Sequence, residues 1–232
     1  TTAGGTGGVG TGARSGNSPR STAIQRKLIR DFYRYIAVCH EVVPERLEDG
    51  SIKLSAPNPD DEALVCAATY FGYEFRDRKE KFCLVYERES DRILEIEVLY
   101  IIPFTSTRKR MSVLIRDIDG LVKVVTKGAD TMMFSRVTAE APMDRLLKKK
   151  TEADIEQFSI EGLRCLVLAA VVVDVARFQQ WSKRYDAACT SLAELDKRKR
   201  GEANSIDALE DEIESGLSIV GATAIEDRLQ DG

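Results

Sequence analysis

Phe104, Lys109, Lys127 and Arg164 each stand at or beside the end of an apolar, strand-like run. A phosphorylated purine needs a flat surface for its base and cations for its phosphates. Phe104, between a strand end and a polar turn, can offer its ring face to a base, a contact of about 1–3 kcal/mol that tolerates many bases. Packing in the core is the other reading of that ring. An ammonium group near a strand end, as at Lys109 and Lys127, can reach a phosphate. Lys127 is followed by Gly128-Ala129-Asp130, which allows close backbone approach and then starts a helix, whose N-terminus favours anions. A lone lysine is otherwise a solvated surface charge. Arg164 opens the run Cys165 to Val173, so its head group must reach the surface or a partner. A planar guanidinium suits phosphate oxygens. A salt bridge to a nearby acid such as Glu161 is the alternative.

Other chemistries find little support. Gly5-Thr6-Gly7-Gly8-Val9-Gly10 matches the spacing of a dinucleotide-binding loop, but it has no preceding strand or following helix. It belongs to a Gly/Ser/Thr-rich block, residues 1–22, too poor in apolar residues to offset its ordering entropy and read as a flexible segment. No Gly-Lys-Ser or Gly-Lys-Thr follows it. The five cysteines form no C-x-x-C pair, which disfavours a zinc site or disulfide framework and suits a reducing compartment. Catalysis or metal binding through histidine would rest on His40 alone. A net charge of −4 argues against a dedicated nucleic-acid binder. No apolar stretch approaches the roughly 20 residues of a membrane span.

The elements that position these residues follow from periodicity and turn signals. The spacing of Leu28, Phe32, Tyr35, Ile36 and Cys39 predicts a helix over 24–42, ended by Pro44. A short strand is expected over 51–54. A turn at Pro57 to Asp61 leads into a helix over 62–72, with Asp60 or Asp61 as its N-cap. Strands are expected over 73–76, 82–87, 93–102, 111–116, 121–126, 165–173 and 217–224, with tight turns at Asp91 and at Ile118-Asp119-Gly120. Helices are expected over 130–137, 143–150, 151–160, 176–200 and 206–214. The 232 residues suffice for one large domain or at most two small ones. Short turns between strands and clustered helices predict an α+β fold, an antiparallel sheet flanked by helices.

Several segments carry a more specific signal together than any one alone. They are Phe104-Thr105-Ser106-Thr107-Arg108-Lys109-Arg110-Met111-Ser112-Val113, Lys127-Gly128-Ala129-Asp130, Glu161-Gly162-Leu163-Arg164-Cys165-Leu166, and Gly221 to Gly232. Pro59-Asp60-Asp61-Glu62-Ala63-Leu64-Val65 joins them, as does Ala37-Val38-Cys39-His40 in the opening helix. The set resembles the nucleotide-binding domain of P-type ATPases, most closely the type IV branch, the phospholipid flippases. The resemblance runs from about residue 26 to the end of the chain.

That resemblance implies an ATP site. Phe104 is then the adenine platform, and Lys109, Lys127 and Arg164 neutralise phosphates, with Lys127 deepest and Gly128 beside it. Asp61 matches the acidic position near the adenine amino group, although the family pattern Pro-Asp-Glu reads Pro-Asp-Asp-Glu here. Glu62 is a substitute if the helix starts one residue differently. Magnesium arrives with the nucleotide. The Asp-Lys-Thr-Gly-Thr motif that forms the aspartyl phosphate does not occur in this sequence, nor does the Thr-Gly-Asp segment. The chain is therefore expected to bind ATP without hydrolysing it.

Residues 23–225 are then the nucleotide-binding domain, and 226–232 the hinge towards a phosphorylation domain. The implied parent is an integral membrane protein with this domain in the cytosol, working with phosphorylation, actuator and transmembrane domains and an accessory transmembrane subunit. The domain by itself is expected to be monomeric. Two rival readings remain open: a flippase-like regulatory module, for example fused to a guanylate cyclase, with weak or no ATP binding, and a plain interaction domain docking through the helix over 176–200.

Overall fold

The computed structural model describes residues 19–48, 52–139 and 141–226. The strands are β1 (Val43–Arg46), β2 (Ile52–Ser55), β3 (Tyr73–Lys79), β4 (Phe82–Glu87), β5 (Arg92–Ile102), β6 (Arg110–Arg116), β7 (Val122–Gly128), β8 (Arg164–Val173) and β9 (Ser218–Ile225). The helices are α1 (Pro19–Ile36), α2 (Pro59–Tyr70), α3 (Asp130–Met133), α4 (Pro142–Ile160), α5 (Val175–Thr190), α6 (Leu192–Lys199) and α7 (Ser205–Ile213). β1 and β2 form a separate antiparallel pair. The other seven strands form one sheet in chain order, β3 to β9, each antiparallel to the next. The fold is α+β, as the turn signals predict.

Alternation along the strands divides the core between the two faces of the sheet. Met111, Val113, Ile115, Val125 and Leu168 face α1 and α2, packing with Tyr35, Val38 and Val65. The intervening Leu114, Val122 and Val124 meet Trp181, Tyr185, Leu209 and Ile213 of α5 and α7. Val167 and Ala169 pack with Met133 and Ile155 of α3 and α4. The turns fall where expected. Asp91 has φ +52° between β4 and β5, and Gly120 has φ +78° between β6 and β7.

Several expected boundaries move. The opening helix ends at Ile36, well before Pro44, which lies inside β1 opposite Leu54. The chain leaves α1 through a buried turn. There Cys39 donates its N–H to the Tyr35 carbonyl, and His40 Nδ1 accepts the Val42 N–H. The helix also begins at Pro19, inside the segment expected to be flexible; residues 1–18 lie outside the described residues. The same is true of Ser51 and of 227–232 in the expected hinge.

The N-cap of α2 is Asn58, whose Oδ1 accepts the Asp60 N–H at 3.1 Å, and neither Asp60 nor Asp61 takes that role. The two helices expected over 143–160 are one, α4, because no breaker separates Lys150 from Thr151. The long helix expected over 176–200 is two. Ser191 adopts extended backbone angles (φ −80°, ψ 114°) and caps α6 by accepting the Glu194 N–H. The helix expected over 130–137 is the short α3, followed by a bridge from Val137 to Leu217.

Candidate functional site

Antiparallel order brings four strand ends to one end of the sheet. β5 ends two residues before Phe104, and β6 starts one residue after Lys109. β7 ends in Lys127-Gly128, and β8 begins at Arg164. The first turn of α2 lies against this end. All six residues singled out in the sequence (Asp61, Phe104, Lys109, Lys127, Gly128 and Arg164) line one cleft of about 540 Å³. That volume falls within the range of about 300–1,000 Å³ typical of small-molecule sites. Pro57, Met111 and Leu166 supply apolar wall.

Phe104 is 45% exposed, so it is not a core residue, and its ring forms part of the cleft. Lys109 is exposed, and its ammonium has no ion pair among the described residues. Its backbone sits in the left-handed region at φ +50°, where a lysine persists only if its surroundings hold it. Gly128 pairs with Arg110 across β6 and β7. A Cβ there would lie 2.5 Å from Arg110 Cβ and 2.7 Å from the Lys109 carbonyl oxygen, so glycine is required for this approach.

Lys127 is not the solvated charge that a lone lysine usually is: it is 6% exposed. Its Nζ lies 2.6 Å from Asp61 Oδ1, while Asp61 Oδ2 accepts the Glu41 N–H at 2.9 Å. Both oxygens of the carboxylate expected beside a base are thus engaged. Arg164 pairs through NH1 with Asp60 Oδ1 at 2.9 Å, so the acid beside it is supplied by α2 and not only by its own neighbourhood. Acidic residues suit the first turn of a helix. Buried as these two are, they also require cations. The cleft therefore holds three cations against two carboxylates.

The remaining reactive groups nearby are quiet. Burial, with Asp130 adding, raises the pKa of Cys165 and keeps the thiol protonated. Burial pushes Cys39 up to about 12. His40 is fully buried, bonded to the Ala37 carbonyl through Nε2 and edge-on to Phe75. Burial, then Arg78 and Lys127, hold its pKa well below the usual histidine value, so it stays neutral. Among the described residues, no group of three or more His, Cys, Asp or Glu could hold a metal ion. No helix among them is long and apolar enough to cross a membrane.

Sequence reasoning misses two features. Asp60 stands 104 residues from its partner Arg164, and no local pattern links them. Behind the site, Arg108 and Arg110 reach through to Glu214, which is fully buried. The available signal was the i, i+2 arginine pair bracketing Lys109, together with Glu210 and Glu214 at i, i+4 on the short acidic helix and its cap.

A family profile described as P-type ATPase, cytoplasmic domain N, matches residues 28–232. The chain is 40% identical over 205 residues to the phospholipid-transporting ATPase DRS2 of Saccharomyces cerevisiae, covering 88% of this chain and 14% of the relative. It is 37% identical to phospholipid-transporting ATPase 10 of Arabidopsis thaliana, over 88% of this chain and 17% of that protein. Identity to phospholipid-transporting ATPase IC of Homo sapiens is 36%, over 88% and 15%. The chain thus spans about a sixth or less of the length of these relatives. With the antiparallel α+β fold and the shared motifs at one end of its sheet, the chain belongs to the cytoplasmic N-domain family of P-type ATPases, on the branch of the phospholipid-transporting ATPases.

Proposed function

We propose that this chain is the ATP-binding domain of a phospholipid-translocating P-type ATPase. In that role it presents the γ-phosphate of ATP to an aspartate in a separate phosphorylation domain. One observation carries the reading: an exposed aromatic face and three cations converge on a single cleft of suitable volume. Phe104 takes the adenine ring. Lys109, the uncommitted cation, meets the phosphates first, and Arg164 and Lys127 join it. Gly128 leaves that end of β7 without a side chain beside them. Asp61 serves as the counter-charge of Lys127, and reaches the adenine amino group only when Lys127 turns to a phosphate.

Magnesium comes with the nucleotide, complexed by its phosphates. The chain's own residues bind and orient the nucleotide and do not cleave it, since the aspartyl-phosphate motif is not in this sequence. The parent holds this domain in the cytosol, beside its phosphorylation, actuator and transmembrane domains and with an accessory transmembrane subunit. The domain alone is monomeric and takes no nucleic acid. Its affinity for ATP is weak, about 0.1–1 mM, or about 4–5.5 kcal/mol.

A second reading is favoured by a specific feature. Asp60 and Asp61 already neutralise Arg164 and Lys127, as in a cleft that is complete without nucleotide. In that reading the domain is a regulatory module of a flippase-like chain. An NMR titration of the labelled domain with Mg-ATP, with GTP as control, separates the two. Saturable shifts at Phe104, Lys127 and Arg164 support the nucleotide site. A well-folded spectrum without shifts up to about 10 mM, weaker than about 3 kcal/mol, supports the regulatory module.

A further inference from the structure

Lys109 is exposed, has no ion pair among the described residues, and is held in a left-handed backbone conformation between two arginines that are almost entirely buried. Their bonds to α7 place Arg108, from the turn, and Arg110, from the start of β6, on the side of the sheet away from the cleft. Both end on one carboxylate. Glu214, the C-cap residue of α7, accepts from Arg108 NH2, from Arg110 Nε at 2.6 Å and from Ser112 Oγ at 2.5 Å. Ser112 Oγ in turn lies 2.8 Å from Thr126 Oγ1, next to Lys127 on β7. Arg110 also reaches Asp211 at 2.5 Å, and Arg108 Nε meets Glu210 at 3.2 Å. The segment around Lys109 is tied from both sides: its N–H donates to the Thr105 carbonyl at 2.7 Å, and its carbonyl accepts from Ala129 at 3.0 Å.

We propose that Glu214 is a positioning residue for the phosphate side of the cleft. By anchoring Arg108 and Arg110 behind the sheet, it fixes the backbone of Lys109 so that the ammonium projects into the cleft. This rests on the ATP reading above. The physical reason is balance of charge. Two guanidiniums withdrawn from water require a buried anion, and Glu214 meets both with one carboxylate in charge-assisted bonds. Without that anchor Arg108 is left to Glu210 and Arg110 to Asp211, the two are no longer tied to one point, the 108–110 segment relaxes from its left-handed residue, and Lys109 loses its aim. Arg108 also donates through NH1 to the Pro103 carbonyl at 2.9 Å, so the clamp borders the backbone of Phe104, while Arg110 and its bonds to Glu214 and Asp211 serve the Lys109 side alone. α7 thereby governs how tightly phosphates are held without contacting the nucleotide.

The test is Glu214→Gln in the full chain, titrated with Mg-ATP and with adenosine. The expected result is ATP binding weakened about fivefold, a coupling normal for residues in one network, with adenosine changed less than about twofold. In a Lys109→Ala background the same substitution is expected to leave ATP affinity unchanged. A merely structural role gives equal loss for both ligands, or the same loss with and without Lys109, and either outcome overturns the proposal. A second readout needs no ligand. The intraresidue amide-to-Hα cross-peak of Lys109, strong at positive φ, is expected to weaken in Glu214→Gln. If wild type binds no ATP, the nucleotide reading fails on its own, and this cross-peak still decides whether Glu214 holds Lys109; an unchanged cross-peak overturns the proposal. Should Glu214→Gln not fold, Arg110→Met removes one arm while leaving Arg108 on Glu214 and on the Pro103 carbonyl, and the same directions are expected of it.

Discussion

Gly128→Ala is a demanding perturbation, because its cost follows from geometry before any ligand is considered. The added Cβ falls 2.5 Å from Arg110 Cβ, 2.7 Å from the Lys109 oxygen and 2.9 Å from Arg110 Cα. Carbon atoms in good contact stand about 3.5–4.0 Å apart, so the shortfall is about 1 Å. These neighbours are backbone or bound directly to it, and no rotamer change relieves them. β6 and β7 must part at the Arg110–Gly128 pair, stretching the 3.0 Å bond from Ala129 N–H to the Lys109 carbonyl. Overpacking of this kind costs about 1–3 kcal/mol, and the upper end applies where backbone must move. For a chain of this size, about 3 kcal/mol lowers the melting temperature by about 6–12 °C.

Gly221→Ala supplies the internal control. There the added Cβ meets Phe32 Cδ2 and Cε2 at 2.6 Å, side-chain ring atoms on α1 that can swing aside, so about 1 kcal/mol and about 2–4 °C are expected. Thermal unfolding followed by far-ultraviolet circular dichroism measures both. A Gly128→Ala protein that melts within about 2 °C of wild type, or a larger loss at Gly221, would refute the argument.

Further predictions concern ligand and pH. Phe104→Ala is expected to weaken ATP and ADP by similar factors, about 1–3 kcal/mol each, since both carry the same base; unchanged ADP affinity, read by calorimetric titration, removes the stacking role. Asp60→Asn withdraws the carboxylate that competes with phosphate for Arg164. Because Arg164 is 44% exposed, the gain in ATP affinity is modest, about threefold, with adenosine unaffected; weaker ATP binding in this variant contradicts the competition. Acid stability is expected to report on His40, the chain's single histidine. Its folded pKa lies well below the unfolded value near 6.5. The unfolded state therefore binds the proton first as pH falls, and stability, flat above about pH 6.5, declines below it by up to about 1.4 kcal/mol per pH unit. Urea midpoints that stay constant between about pH 6.5 and 5 contradict a buried neutral histidine.

The strands of the large sheet were legible because their cause is local, whereas β1, which contains Pro44, was not expected. Alternating burial, β-branched runs and the turn residues Asp91 and Gly120 each act within a few positions, and every strand pairs with a chain neighbour. Helix ends were less legible, because tertiary context decides them. A boundary was expected between Lys150 and Thr151, yet no breaker stands there and α4 runs through with Thr151 buried. Ser191 looks like any helical serine until its oxygen caps α6. Pro44 drew attention as a helix breaker, whereas α1 stops at Ile36, where Ala37, Val38 and Cys39 turn into the core. Each of Phe104, Lys109, Lys127, Gly128 and Arg164 could be placed beside a strand end, but their sharing of one site was implied by the family resemblance, and the strand order shows that these ends lie together. What could not be read was their compensation. Asp60 and Asp61 looked like caps, and only the docking of α2 shows which cations they answer. The arginine pair and the i, i+4 glutamates were visible separately, but only the fold brings Glu214 to arginines 104 and 106 residues away.

The strict chain order of the seven-stranded sheet has a consequence for the entropy of forming it. Closing a loop costs more as the loop lengthens, by about 0.6 kcal/mol per doubling. The links between β3 and β7 are short turns, whereas β8 waits for residues 129–163 and β9 for residues 174–217. Relative to the 117–121 turn, each of these long closures carries an extra cost of about 2 kcal/mol if the intervening chain is flexible. The helices α3 to α7 occupy those stretches and shorten the chain that must be ordered. The same asymmetry divides the cleft: Lys109 and Lys127 come together through the β6–β7 hairpin, while Arg164 arrives only with β8, after residues 129–163.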